Sequence, residues 1–191
     1  MIERKQWLAY LEKNLSSKRY RHTLGCAKLA KELAKIYHAD LDKADAAALL
    51  HDVAKEMSLA DMQSVVLHSG TQVANYVAGN ATLLHAYASA ALAQSQFGVE
   101  DQEILDAILY HTTGRKNMSL LEKIIFIADA AEENRTYHPQ IKQWRQEAKE
   151  DLDSAVLKVL EYNIIRVVQR GFILDENTVS ARNDLVMRDG R

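Results

Sequence analysis

One proline in 191 residues, Pro139, and only seven glycines leave this chain few places at which to turn sharply. Strand architectures of that length consume turn residues steadily, so the shortage predicts an all-α fold, a single compact domain over 1–191. Hydrophobic residues make up 48% of the chain, enough for one substantial core. The single cysteine, Cys26, excludes an intramolecular disulfide framework and a cysteine-rich zinc ribbon, and it suits a reducing, cytoplasmic setting. No stretch approaches the roughly 20 apolar residues of a bilayer span, and MIERKQWLAYLEK carries charges where a signal peptide would be apolar. Neither membrane insertion nor secretion is expected. With 24 basic and 26 acidic residues the net charge is −2, which gives no general affinity for DNA or RNA. Any recognition of phosphate must come from a few placed side chains.

Helical spacing recurs along the chain. Leu8, Leu11 and Leu15 share a face within 2–15, and Cys26, Leu29, Leu33 and Ile36 share one within about 20–37. Asp42 is the expected cap of a third helix running through about Lys55, and Ser58 of a fourth through His68, stopped at Ser69-Gly70. GTQVANYVAGN reads as a loop or a short helix. An alanine-rich helix over about 81–97 ends at Gly98, and Ile104, Ala107, Ile108 and His111 form the stripe of the next, which should stop near Gly114. Ser119 and Glu122 make a capping box ahead of LEKIIFIADAAEEN. Ile141, Trp144, Ala148, Leu152, Ala155, Val159 and Tyr162 continue one stripe, predicting a long helix over about 140–170. The remaining tail, 171–191, loses the period and reads as irregular.

Chemistry enters where polar residues interrupt the apolar faces. His22 lies one turn before Cys26 on the same stripe, a place where a lone histidine is commonly a hydrogen-bonded core residue. His51-Asp52 follows the apolar run AAALL, and a carboxylate on a buried face is costly unless paired or bound to a metal. Asp129 interrupts IIFIADAA one turn after Ile125, with an ion pair to a buried cation as the bland alternative. His85 and His111 stand at helix ends and are expected to point inward. Histidines and carboxylates, with no cysteine required, suit a borderline-to-hard ion such as iron, manganese, cobalt, zinc or magnesium. Ligands about 18 to 33 residues apart are unlike a closed structural zinc site, whose ligands cluster in sequence, and favour hydrolytic chemistry.

The order His22, His51-Asp52, Asp129 on successive helices resembles the HD superfamily of metal-dependent phosphohydrolases. KRYRHTLGCAKLAKELA, AALLHDVAKEM, LLHAYASA, YHTTGR, ADAAEENR and TVSARNDL together look like its YqeK-type branch, the bacterial symmetrical bis(5′-nucleosyl)-tetraphosphatases. The resemblance extends over nearly the whole chain. It implies an HD-domain helical bundle with a metal-binding core over about 18–135. It also implies that His22, His51, Asp52 and Asp129 are the metal ligands, with iron the favoured ion. His85 and His111 match two further family histidines, for a second metal bridged by Asp52 or for contact with substrate phosphates, the latter being favoured. Lys55 stands four residues after His51 on the same helical face, where its ammonium could reach a phosphate bound at the metal. Arg135 keeps its place as a phosphate ligand in the resemblance, and His51, Asp52 and Lys55 are the expected catalytic set. Arg19, Arg115 and the segment Leu174, Asp175, Glu176, Asn177, Thr178 and Val179 are further expected substrate contacts. The chain departs from the family at Glu132-Glu133, where Glu-Pro is common, and at LDENT, where relatives tend to have a histidine-proline pair before the threonine.

The implied reaction splits diadenosine tetraphosphate, or another dinucleoside tetraphosphate, into two nucleoside diphosphates by metal-activated water. Tyr87 and Tyr137 are candidates for stacking on the adenine. Two readings compete: another HD phosphohydrolase acting on mononucleotides, deoxynucleoside triphosphates or a signalling nucleotide, and a helical nucleotide-binding protein whose histidines are structural. His38, His68 and His138 stay outside the proposed site and are expected to be dispensable. The long C-terminal helix buries its stripe in its own core or in a partner's, and a homodimer is the assembly that the resemblance suggests.

Overall fold

The computed structural model describes residues 2–136 and 138–188, in which eleven helices and no strand occur. They are α1 (Ile2–Asn14), α2 (Ser17–Ile36), α3 (Leu41–Leu50), α4 (Leu59–His68), α5 (Asn75–Ala78), α6 (Ala81–Ser95), α7 (Gln102–Leu109), α8 (Leu120–Ala131), α9 (Ile141–Glu147), α10 (Leu152–Gln169) and α11 (Glu176–Arg188). The expected all-α bundle is what forms. Helix α8 runs through its centre, packed by α2, α3, α7, α9 and α10. Ile124, Ile125, Phe126 and Ile127 on α8 are all buried, each worth about 1.5–3 kcal/mol of apolar transfer, which fixes the helix that carries Asp129. The predicted Ser119/Glu122 capping box is formed at its start. A smaller apolar cluster of Met62, Val66, Val77, Leu84 and Ala88 joins α4, α5 and α6.

Three helix boundaries before residue 115 differ from the sequence reading. Asp40, not Asp42, caps α3, its carboxylate accepting from Asp42 N at 2.8 Å and Lys43 N at 3.0 Å. That helix ends at Leu50 rather than near Lys55: Val53 N bonds Leu50 O, Lys55 N bonds Asp52 O, and Met57 N bonds Ala54 O, the tighter winding of a 3₁₀-like turn. In such a turn residues three apart eclipse, so Lys55 stands over Asp52 rather than in register with His51. Helix α7 stops at Leu109, and the turn that follows closes with Gly114 at φ +64.

The long helix expected over about 140–170 is two helices. Its apolar stripe is continuous, with Trp144, Ala148, Leu152 and Ala155 all buried, but the chain breaks where the Asp151 carboxylate accepts from Ser154 N at 3.0 Å. A side chain offering its oxygen to the backbone starts a new helix there. Within the tail expected to be irregular, 171–191, residues Glu176–Arg188 fold as α11, and 189–191 lie outside the described residues. Ala181 and Leu185 bury against the core, while the buried Asp184 accepts from Asn117 N at 3.1 Å and pairs with Arg188. Those polar partners supply what the apolar period of the tail lacks.

Candidate metal centre

His22 on α2, His51 and Asp52 in the turn after α3, His85 on α6, His111 after α7 and Asp129 on α8 converge on one buried point. The four histidines and Asp52 are almost fully buried, and the Asp129 side chain is 21% exposed. Three of the histidine rings are held the same way. His51 Nδ1 lies 2.7 Å from Ala48 O, and His111 Nδ1 lies 2.7 Å from Ile108 O. A carbonyl only accepts, so each Nδ1 carries a proton and Nε2 is the nitrogen turned inward. His22 Nδ1 lies 3.1 Å from the carboxylate of Glu132, with the same consequence. Histidines anchored through Nδ1 with Nε2 free are the arrangement of metal ligands held by outer partners.

The inward nitrogens meet carboxylates. His22 Nε2 is 3.0 Å from Asp129 Oδ1 and 3.7 Å from Asp52 Oδ2, and His51 Nε2 is 3.7 Å and 3.5 Å from the same two oxygens. His51 Nε2 and Asp52 Oδ1 are buried and make no hydrogen bond among the described residues. An orphaned histidine nitrogen facing two carboxylates, as His51 Nε2 does, is what a cation would satisfy. Two sets have ligand atoms mutually within 4.8 Å: His22, Cys26, His51 and Asp129, and His51, Asp52 and His111. The donors fit a transition-metal ion.

Asp52 divides this cluster. On its Oδ2 side stand His22, His51, Asp129 and Glu132. Its Oδ1 faces His85 Nε2 at 3.2 Å, His111 Nε2 at 3.6 Å and Lys55 Nζ at 3.8 Å. Lys55 Nζ donates to His85 Nε2 at 2.9 Å, and the His85 and His111 Nε2 atoms are 3.1 Å apart. The two sides differ electrostatically. Burial opposes charge on His22, but hydrogen bonds to Asp129, Cys26 and Glu132 push it up to about 10. Burial takes His85 down to about 4, opposed by Asp52 and helped by Lys55. Asp52 and Asp129 stay well below the usual carboxylate range despite burial, because His51 with Lys55, and Arg135 with His22, outweigh it.

Two arginines hold the carboxylates. Arg19 donates to Asp52 Oδ2 at 2.5 Å, and Arg135 donates through Nη2 to Asp129 Oδ1 and through Nε to Asp129 O at 2.8 Å. A cavity of about 580 Å³ opens beside the cluster, lined by Lys55, His111, Asp129 and Arg135 and, from the C-terminal helices, by Trp144, Arg166 and Thr178 among others. Leu174, Asp175 and Thr178 of the expected tail segment line it, whereas Glu176, Asn177 and Val179 do not. Asp175 starts α11, accepting from Asn177 N at 2.9 Å and from Tyr76 Oη at 3.1 Å.

Arg115 is not brought to the cluster. Its guanidinium pairs with Glu122 and Asp106 on the flanking helices and lies 4.5 Å from the Tyr110 ring centroid, partners that its position between α7 and α8 supplies. Tyr87 packs against the α4–α6 cluster and does not line the cavity, and Tyr137 lies outside the described residues. The sequence reading missed Glu132, Cys26 and Trp144. Glu132 is 1% exposed, and a Cβ at Gly25 would stand 2.2 Å from its Oε2, so the glycine on α2 makes room for the carboxylate that holds His22. The signal available was Gly25 within an otherwise regular helix. His138 stacks on Trp144 with ring planes 4° apart.

The HD domain model matches residues 19–134. A protein of Halalkalibacterium halodurans named symmetrical bis(5′-nucleosyl)-tetraphosphatase is 37% identical over 97% of this chain and 98% of its own. One of the same name from Bacillus subtilis is 36% identical over 97% and 98%. A crystal structure from Clostridium acetobutylicum, described as a predicted HD superfamily hydrolase involved in NAD metabolism, superposes with a TM-score of 0.92 at 40% identity, covering 96% of this chain and 97% of that one.

Proposed function

The chain belongs to the HD-domain family, and from that premise we propose that it is a metal-dependent hydrolase cleaving diadenosine tetraphosphate, or a similar dinucleoside tetraphosphate, symmetrically into two nucleoside diphosphates. The observation that carries the reading is the pair of inward Nε2 atoms of His22 and His51, the latter without a hydrogen bond among the described residues, facing Asp129 and Asp52 beside a cavity edged by cations. His22, His51, Asp52 and Asp129 would hold the ion, iron by preference. When bound, it would supply Lewis acidity and a water that loses its proton near neutral pH. His51 and Asp52 keep their lone pairs fixed by burial and by Ala48 O and Arg19. Lys55 and Arg135 offset charge on the polyphosphate, which weighs more in phosphoryl transfer than proton donation to a good leaving group. His85 and His111, beside Lys55, face the phosphates.

A second reading has one observation in its favour: the ligand atoms of His51, Asp52 and His111 also lie close enough for a second ion. The phosphate reading is preferred because Lys55 already places an ammonium on that side of Asp52. We place the protein in the cytoplasm, on its single buried Cys26. Among the described residues no helix is long and apolar enough to cross a membrane. Incubation of metal-loaded protein with diadenosine tetraphosphate should yield ADP alone. Equal amounts of AMP and ATP, or no turnover while a mononucleotide is consumed, would defeat the proposal.

A further inference from the structure

Arg166 and Arg170 lie one turn apart at the end of α10, and both line the cavity that Lys55, Asp129 and Arg135 also line. With Val159 and Asn163, which line it too, they follow the spacing of a single helix face. Neither guanidinium has an acidic partner among the described residues. Arg166 has only a ring contact, 6.0 Å from the Tyr162 centroid. Arg19, Arg115, Arg135 and Arg182 are by contrast all salt-bridged. The dipole of α10 accounts for cations at its C-terminus. It does not account for Phe172, which lines the same cavity and yet is 64% exposed. Unpaired guanidiniums beside an exposed aromatic ring are suited to a phosphate and a base together.

A dinucleoside tetraphosphate has two like halves, and the cations at the metal cluster serve only the phosphates next to it. We infer that Arg166, Arg170 and Phe172 form a subsite for the second nucleoside diphosphate half, with the guanidiniums on its phosphates and the ring against its base. The inference rests on the reaction proposed above. It explains why the cavity extends to α10 and to the segment after it, well beyond the ligands.

The test compares diadenosine tetraphosphate with adenosine 5′-tetraphosphate, whose one nucleoside takes the half nearer the cluster. Arg166→Gln with Arg170→Gln should raise KM for both substrates about tenfold, the scale of losing charge-assisted hydrogen bonds, while kcat stays within about threefold. Phe172→Ala should raise KM about fivefold for the dinucleotide and leave the mononucleotide unchanged, the scale of one lost base stack. If the double variant melts early, Arg170→Gln alone, at an exposed position, decides with Phe172→Ala. Unchanged KM values, or an equal effect of Phe172→Ala on both substrates, would overturn the subsite while leaving the reaction in place. Failure of the wild-type protein to cleave diadenosine tetraphosphate would overturn the reading beneath it instead.

Discussion

The two sides of Asp52 are built from the same residue type and differ in their neighbours. On one side His22 and His51 face Asp129, with Glu132 behind His22; on the other His85 and His111 face Lys55. Carboxylates around two histidines make a place for a cation. An ammonium beside two histidines makes a place for an anion. A histidine in a buried cluster is therefore read through the charge next to it, and on that ground we propose the ion on one side and the phosphates on the other.

Asp52 serves both sides, so removing its charge should do the most damage. Asp52→Asn is expected to lower kcat/KM roughly a thousandfold, equivalent to the several kcal/mol of charge stabilisation a metal site supplies, as read by steady-state kinetics. Lys55→Met strikes the anion side alone. It should cost about a hundredfold in kcat with metal content unchanged, since one placed donor to a developing charge is worth that much. Loss of metal in Lys55→Met would erase the distinction between the sides.

Glu132 and Gly25 probe the support of the cation side. Glu132→Gln should weaken metal affinity about tenfold to a hundredfold, as loss of an outer partner to a ligating histidine does, measured by competition with a chelator. Gly25→Ala should act the same way at smaller cost, by driving a Cβ into the Glu132 carboxylate; overpacking adds about 1–3 kcal/mol of destabilisation in a melt. A Gly25→Ala protein with unchanged metal affinity would mean that the carboxylate does not set the His22 ring. His38→Ala and His68→Ala, outside both sides, should stay within about twofold of wild-type turnover, as surface changes usually do.

Much of this was legible before any coordinates. The shortage of turn residues and the 3.6-residue period gave the helices, because those signals are local. Asp129 stood out because a charge within IIFIADAA needs compensation wherever the helix packs. What the sequence hid was decided by contacts between distant residues or by competition within a turn. Asp151 breaks a continuous stripe because capping outweighs continuation. Helix α11 has a weak period because Thr178 and Asp184, polar yet buried, occupy its inner face. Arg115 matches a family position and is nonetheless taken by Glu122 and Asp106, and the Glu132–His22 bond joins residues that no spacing relates. No spacing in the sequence marks Arg166 and Arg170, which only the fold brings to the cavity that Lys55 and Arg135 also line.

The most direct test of the division at Asp52 is the metal content of the purified wild-type, His51→Ala and His85→Ala proteins, measured by elemental analysis on folded samples. One ion per chain in wild type, retained in His85→Ala and lost in His51→Ala, is the expected result. Two ions per chain in wild type, falling to one in His85→Ala, would contradict it.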